Sequence, residues 1–221
     1  MAMGEKHGTW VRWRPSGKLR SIGGFRRGDR HGVWQFFNRT GKPNGTTVYD
    51  RGTGEELQWH DNGIAMSRGW VRRGVRQGKW WWRHDNGKRS LSATYARGQL
   101  HGLVVGWHRD GMRATTQHFD NGREHGVERR WTHKGVLLVE RRWRSGQPDG
   151  MALYFDHQAV LRAATCFDMG RIVVHRSDLE FAPTPHARRL LQRRARIDKA
   201  TTALMLQAAR RMPCGPQGSR H

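Results

Sequence analysis

The sequence predicts a mainly β protein: an elongated, single-layer antiparallel meander of about seven β-hairpin repeats, followed by a basic α-helical tail. Three observations support this fold class. Glycines recur at a fixed spacing, aromatic-rich runs alternate with turn residues, and a long basic stretch near the end lacks glycine. The recurring glycines are 24 residues apart, with one interval of 22, at Gly4, Gly28, Gly52, Gly74, Gly98, Gly122, Gly146 and Gly170. A fixed period of this size indicates a repeat architecture.

Each repeat contains two strand-length runs separated by turn residues. Residues 79–84 and 103–109 are runs of this kind, rich in aromatic and branched side chains and too short for helices. Asn-Gly pairs, a strong hairpin signal, stand between such runs in Asp61-Asn62-Gly63, Asp85-Asn86-Gly87 and Asp120-Asn121-Gly122. Because both residues of the pair tolerate positive φ, we expect tight turns there and a β-hairpin in every repeat.

The aromatic residues occupy both faces of the predicted strands. Trp10 and Trp13, like Trp34 and Phe37, are three residues apart and therefore point to opposite sides of a regular strand. Aromatic cover on both sides suits a sheet without a second layer, in which rings of successive repeats stack as cross-strand pairs. We expect this repeat array to occupy residues 1–176.

A longer motif, Gly-x-x-His-Gly-x-Trp-x-x-aromatic-x-x-x-Gly, recurs along the array and is carried by residues 4–10, 28–34, 98–102 and 122–126. The motif resembles the MORN repeat family, and more closely its variant in bacterial proteins. The resemblance spans seven repeats, although the third is two residues short and the seventh has Ala159 in place of the middle glycine. It implies an elongated hairpin array used for protein contact or membrane association. For some bacterial members it also implies an antitoxin-like role.

The composition favours an acidic or polyanionic partner. The 221 residues include 41 basic and 18 acidic side chains, for a net charge of +23. Such a charge favours nucleic acid, anionic lipid or an acidic protein surface. The alternative is that a GC-rich genome places arginine at solvated positions without a function. The first repeat begins at once and no run approaches a membrane span, so we expect a cytoplasmic protein, either free or peripheral at the inner membrane surface.

Residues 177–221 are predicted to form a second segment, a basic amphipathic helical tail with a disordered end. Thr184-Pro185 is typical of a helix start, and Pro213 and Gly215 end the segment. Its first half carries six cations, at Arg188, Arg189, Arg193, Arg194, Arg196 and Lys199. Three roles stay open: a cap on the last repeat, a helix that binds polyanions, and a helix that lies on a membrane surface.

The sequence carries no pattern typical of a catalytic or metal site. Histidines precede four repeat glycines, at His7, His31, His101 and His125. Copies one repeat apart lie about 10 Å from each other, too far to share a metal ion, so we expect structural turn residues and neither metal nor cofactor. The sequence has no nucleophile elbow, P-loop or zinc-protease motif. We therefore expect a protein that is not an enzyme and takes no small-molecule substrate.

Two sets of residues are candidates for binding. Arginines precede four repeat glycines, either as a functional ladder or as solvated turn cations: Arg27, Arg51, Arg73 and Arg97. Tryptophans are candidates for a binding face: Trp34, Trp59, Trp80, Trp81, Trp82, Trp107 and Trp131. We expect a scaffold that binds a protein with an acidic surface, in an antitoxin-like masking role. The alternatives are nucleic acid bound by the arginines and the tail, and anionic membrane lipid. Base stacking is discounted because most tryptophans are needed for packing.

Overall fold

A computed structural model describes residues 4–177, and the predicted helical tail with its six cations lies outside them. The chain divides into two units, residues 1–111 and the residues from 112 onward. The first unit contains β1 (Gly8–Trp13), β2 (Leu19–Arg26), β3 (Asp29–Phe37), β4 (Pro43–Asp50), β5 (Thr53–Trp59), β6 (Ala65–Arg72), β7 (Val75–Arg83), β8 (Arg89–Ala96), β9 (Gln99–Leu100) and β10 (Gly102–Trp107). The described part of the second contains β11 (Arg113–Asp120), β12 (Arg123–Trp131), β13 (Leu137–Arg144), β14 (Gln147–Phe155), β15 (Leu161–Asp168) and β16 (Arg171–Ser177).

Within each unit the strands pair antiparallel in chain order. The first unit runs from β1 to β8 and then to β10, while the short β9 pairs with β8. The second runs from β11 to β16. No helix occurs between residues 4 and 177. The predicted mainly β, antiparallel hairpin meander is therefore confirmed, whereas the division into two units was not predicted.

The turns at the repeat glycines contain two central residues, both at positive φ. Arg27 has φ 50° and Gly28 has φ 80°, which are type I′ values that suit the twist of a hairpin. Similar pairs of φ values, 41–50° followed by 73–86°, recur at residues 51–52, 73–74, 97–98, 121–122, 145–146 and 169–170. Successive turns are also bonded to each other: the Gly52 N–H group donates to the Arg30 carbonyl oxygen (2.7 Å). This bond holds the turns in a stacked row along one end of the strands.

The turns at the other end of the strands contain three residues. The Gly63 N–H group donates to the His60 carbonyl oxygen (3.0 Å), and His60 N–H donates to the carbonyl oxygen of Ile64 (2.9 Å). Of the three central residues only Gly63 has positive φ, at 84°. The predicted Asn-Gly turn with two positive φ values is confirmed at residues 121–122. The same prediction is wrong at residues 62–63 and 86–87, where Asn62 and Asn86 keep negative φ.

The core of the first unit lies on one face of the sheet, here called the inner face, which carries Trp34 and Trp80. Both indoles are fully buried, at 0% and 1% exposure. Trp34 lies flat on Gly23 of the neighbouring strand, and Trp80 lies in the same way on Gly69. The cluster around them consists of Phe25, Tyr49 and Val71, with Phe36, Trp82 and Tyr95 packed against it. Rings of successive repeats therefore do form the core, as cross-strand neighbours.

Side-chain sizes compensate each other along this row of cross-strand pairs. Trp34 and Trp80 are each opposed by a glycine on one side, and Trp80 pairs with the small Ala93 of β8 on the other. In the second unit, Arg141 of β13 pairs with Ala152 of β14. A large residue thus faces a small one, which keeps the packing density even along the row.

The second unit has a core of its own, built from aliphatic side chains. The buried cluster consists of Leu137, Leu153, Phe155, Leu161 and Ala164, and Trp131 and Met151 pack against it. This unit has no tryptophan at the repeat positions that correspond to Trp34 and Trp80, because Glu128 and Ala152 occupy them. Two further polar side chains of this unit, Glu140 and Gln117, are also buried. The second unit therefore combines an aliphatic core with buried polar groups.

Candidate interaction surface of the first unit

The other face of the first unit, here called the outer face, exposes large apolar side chains. Val33 and Val48 are 61% and 62% exposed and pair directly with each other across β3 and β4. Trp70 of β6 is 51% exposed and pairs with Glu55 of the intervening strand. These three apolar residues are here called the valine–tryptophan patch. Exposed apolar side chains grouped on neighbouring strands mark interaction surfaces more often than isolated ones do.

A groove with a volume of about 520 Å³ lies on the outer face over β7, β8 and β10. Trp81, Leu103 and Val105 supply its apolar lining, and Lys79 and Arg83 supply cations. The guanidinium carbon of Arg83 lies 5.0 Å from the centroid of the Trp81 ring. The groove can therefore take an apolar side chain next to a carboxylate.

The arginine column lies on the stacked two-residue turns of the first unit. Its members share the left-handed backbone conformation, with φ between 45° and 50°, at Arg27, Arg51, Arg73 and Arg97. Val48 and Trp70 each stand three residues before a column arginine, which is about 10 Å along a strand. The column therefore borders the end of the sheet nearest to the valine–tryptophan patch.

The column arginines combine a fixed backbone with uncompensated charge. The Arg73 N–H group donates to Thr53 Oγ1 (3.1 Å), and the Arg97 N–H group donates to Gln77 Oε1 (3.3 Å). Arg51 lies 3.5 Å from the Asp50 carboxylate, and both side chains are exposed, so this pair contributes little stability. The guanidinium groups of the other three, Arg27, Arg73 and Arg97, form no ion pair with any residue between 4 and 177.

Most of the predicted binding tryptophans are packing residues. Trp34 and Trp80 are buried and cannot contact a partner, which corrects their assignment to a binding face. Trp82 packs against the same inner-face cluster, and Trp59 lies on Gly45. Trp107 lies under the Arg89 guanidinium at 6.0 Å, and Trp131 packs on the core of the second unit. Trp80 and Trp81 both line the outer-face groove, but of the two only Trp81 is partly exposed. The patch residues Val33, Val48 and Trp70 were not predicted.

The inner-face rings carry a layer of cations that the sequence analysis missed. The guanidinium carbon of Arg30 lies 4.9 Å from the Trp34 ring centroid, and Arg30 Nη1 donates to the Tyr49 hydroxyl (3.2 Å). Burial and the nearby Glu56 carboxylate raise the pKa of Tyr49, and Arg30 opposes them. Arg76 repeats this arrangement with Trp80, at 4.4 Å. The signal in the sequence is a basic residue two positions after the repeat glycine, at Lys6, Arg30 and Arg76.

The second unit contains a buried ionic network around Glu128. Arg141 Nη2 lies 2.7 Å and Arg130 Nε lies 2.5 Å from the Glu128 carboxylate, and Trp143 Nε1 donates to it at 2.8 Å. Burial raises the pKa of Glu128, but the hydrogen bonds from Arg141, Trp143 and Arg130 outweigh it, and the pKa is lowered overall. Glu128 is therefore held as a carboxylate in the core.

The turn histidines contact neighbouring turns and do not form a metal site within the described residues. His31 Nδ1 lies 3.4 Å from the Arg51 N–H group and 3.4 Å from the Asp50 carboxylate, so its ring contacts the neighbouring turn. Between residues 4 and 177, no three histidine, cysteine, aspartate or glutamate side chains are grouped to hold a metal ion. In the same range, no helix has the length and apolar character needed to cross a membrane.

No protein-family model matches the sequence, and a search of curated proteins finds no match.

Proposed function

We propose that the protein is a non-enzymatic scaffold that binds another protein through the outer face of its first unit. The observation that carries this proposal is the valine–tryptophan patch beside the arginine column. Val33, Val48 and Trp70 expose apolar area, and uncompensated guanidinium groups stand at the end of the same strands. An apolar centre with a charged border is the usual composition of a protein–protein interface. Nucleic acid offers no comparable partner for exposed valines.

The partner is expected to present an acidic surface with an apolar side chain. The outer-face groove accepts the apolar group against Trp81 and Leu103, while Lys79 and Arg83 pair with carboxylates beside it. The arginine column steers the approach of the partner, because uncompensated charges act over about a Debye length, roughly 8–10 Å at physiological salt. In this proposal the patch contributes most of the binding affinity, and the column increases the rate of association.

The resemblance to bacterial MORN-type proteins makes this proposal more specific. In an antitoxin-like role the scaffold masks a toxic protein by covering its acidic functional surface. The repeating glycine and tryptophan positions support the resemblance, and the hairpin meander is compatible with it. A partner of this kind inhibits growth when expressed alone and loses this effect when co-expressed with the scaffold.

The test starts with the tagged full chain in a lysate of its own cells, at near-physiological salt, with and without nuclease. Mass spectrometry identifies the proteins that stay bound. The partner is then titrated against the wild type, Trp70→Ser, and a variant with glutamine at all four column positions. We expect Trp70→Ser to weaken binding about tenfold or more, and the glutamine variant to associate more slowly at low salt only.

Ile172→Ser provides the matched control. Ile172 is 64% exposed and belongs to β16 of the second unit, which contributes no residue to the proposed surface. Its substitution is expected to leave the affinity within about twofold. Equal losses from Trp70→Ser and Ile172→Ser would contradict the proposed surface. Bound material that disappears with nuclease would instead favour the polyanion alternative.

A further inference from the structure

A second cleft, on the inner face of the first unit, is rich in arginine. It has a volume of about 250 Å³ and extends from β1 and β2 to Trp59 at the end of β5. Arg12, Arg14, Arg20 and Arg30 all line it. It lies on the face opposite to the valine–tryptophan patch and shares no residue with that patch.

The positive charge of this cleft is only partly balanced. Arg30 lies 3.6 Å from the Glu56 carboxylate, and Asp61 is paired with Arg39 at 2.8 Å. Arg12 and Arg20 form no ion pair with any residue of the described range. Three guanidinium groups, those of Arg12, Arg14 and Arg20, are therefore left without a carboxylate around a small concave site.

Arg14 has an unused donor in this site. Its Nη2 donates to the Phe37 carbonyl oxygen at 3.1 Å, which fixes the guanidinium in position. Its Nε is buried and makes no hydrogen bond. A buried donor without a partner is unfavourable, and the described residues supply no acceptor for this one. Guanidinium donors match the oxygens of phosphate and carboxylate groups.

Trp59 gives the cleft an aromatic wall that differs from the other stacked tryptophans. Like Trp34 and Trp80, it lies flat on a glycine of the neighbouring strand, here Gly45. Those two rings are covered on their other face by Arg30 and Arg76. Trp59 contacts Phe36, with the ring centroids 5.3 Å apart. In the described part of the chain no cation covers the Trp59 ring, and this ring lines the cleft.

We propose that this cleft binds a phosphate group attached to a planar aromatic ring, as in a nucleoside monophosphate. The base stacks on Trp59, in the place that a guanidinium takes over Trp34 and Trp80, and the phosphate oxygens accept hydrogen bonds from Arg12 and Arg14. Stacking on tryptophan tolerates any base, because every base has a π face. A simple carboxylate would satisfy the arginines but would leave the indole uncovered. The same chemistry occurs in a free nucleotide and at the phosphorylated 5′ end of a single strand.

Calorimetric titration of the full chain tests this site with defined probes. We expect adenosine monophosphate to bind at least about tenfold more tightly than adenosine or inorganic phosphate, because only the nucleotide uses both the indole and the arginines. A short oligothymidylate with a 5′ phosphate is compared with its 5′-hydroxyl form. Preference for the phosphorylated strand over the mononucleotide identifies a strand end as the ligand, and the reverse identifies a free nucleotide.

Variants assign the binding to this cleft. Arg12→Gln and Trp59→Leu are each expected to weaken nucleotide binding about tenfold. Trp59→Phe retains a ring and guards against loss of folding, which circular dichroism also checks. Arg26→Gln is the matched control, since Arg26 is exposed on β2 and lines no part of the cleft. Equal effects of Arg12→Gln and Arg26→Gln would overturn the proposal, as would binding of phosphotyrosine more tightly than of any nucleotide.

Discussion

The indole of Trp34 lies directly on the backbone of Gly23, with no space for a side chain between them. Trp34 Nε1 donates to the carbonyl oxygen of Gly24 at 3.0 Å, and Arg30 covers the other face of the ring. The ring is therefore enclosed between a strand and a cation. Trp80 repeats the arrangement with Gly69, Trp70 and Arg76. Two copies of one sandwich thus form the centre of the first unit.

The substitution Gly23→Ala tests this packing. A Cβ atom at residue 23 would overlap the Trp34 ring, so the indole or the strand must move. Overpacking of this kind typically lowers the free energy of unfolding by about 1–3 kcal/mol. Urea unfolding followed by circular dichroism measures the difference. Gly4→Ala is the control, because Gly4 has open space around it and is expected to tolerate alanine. Equal stability of the two variants would contradict the sandwich.

The repeat period was readable from the sequence, but the sandwich was not. Glycines and tryptophans at a spacing of 24 predict hairpins and cross-strand rings, and both are present. The partner of each buried indole lies eleven residues earlier, at Gly23 for Trp34 and at Gly69 for Trp80. That spacing could have identified the two packing tryptophans. Without this spacing, the sequence does not distinguish packing tryptophans from exposed ones. The side of the sheet to which a residue points depends on the β-bulge that shifts the register.

The cation over the second sandwich is tested by Arg76→Met. Methionine keeps most of the apolar stem but removes the charge over Trp80 and the hydrogen bond from Nη1 to the Tyr95 hydroxyl. We expect the free energy of unfolding to fall by about 1–2 kcal/mol. Arg72→Met is the control, because Arg72 is exposed and has no partner in the described part of the chain. A loss of the same size in Arg72→Met would show that net charge, not the ring contact, accounts for the effect.

The turn arginines are expected to be replaceable without loss of stability. Arg97 occupies the left-handed region, with φ 50°, and Asn121 takes the same position in the next two-residue turn with φ 47°. Asparagine adopts this conformation more readily than arginine or glutamine. Arg97→Asn should therefore raise the free energy of unfolding by about 0.5–1 kcal/mol, while Arg97→Gln stays within about 0.5 kcal/mol of the wild type.

Thermal unfolding of both variants separates backbone strain from charge repulsion. If Arg97→Gln stabilises as much as Arg97→Asn, removal of a positive charge explains the gain and the φ argument is wrong.

This turn type was not predicted for the arginine positions, because the Arg-Gly pair lacks the asparagine that usually marks a type I′ turn. Conversely, Asn62-Gly63 carries that signal and forms a three-residue turn. Turn length depends on the register of the flanking strands, which the dipeptide alone does not encode.

The buried carboxylate of Glu128 makes the stability of the folded protein depend on pH. The pKa of Glu128 is lowered in the folded protein, so the unfolded chain binds the proton more readily. The ionised side chain therefore stabilises the folded state at pH values above its ordinary pKa of 4.5. This contribution is present near neutral pH and is lost as the pH falls below that value. Glu128→Gln removes the titration and leaves Arg141 and Arg130 without their carboxylate. We expect a loss of about 2–3 kcal/mol at pH 7 that shrinks toward pH 3.

Urea unfolding at several pH values between 7 and 3 measures this difference, with Asp168→Asn as the control. Asp168 is exposed at the end of β15 and forms no ion pair with the residues between 4 and 177, so its variant should follow the wild type at every pH. A constant difference between Glu128→Gln and the wild type would show that shape, not ionisation, makes Glu128 important. A difference that closes with acid would show that a carboxylate can replace the tryptophan of this repeat position because two arginines and an indole N–H group enclose it.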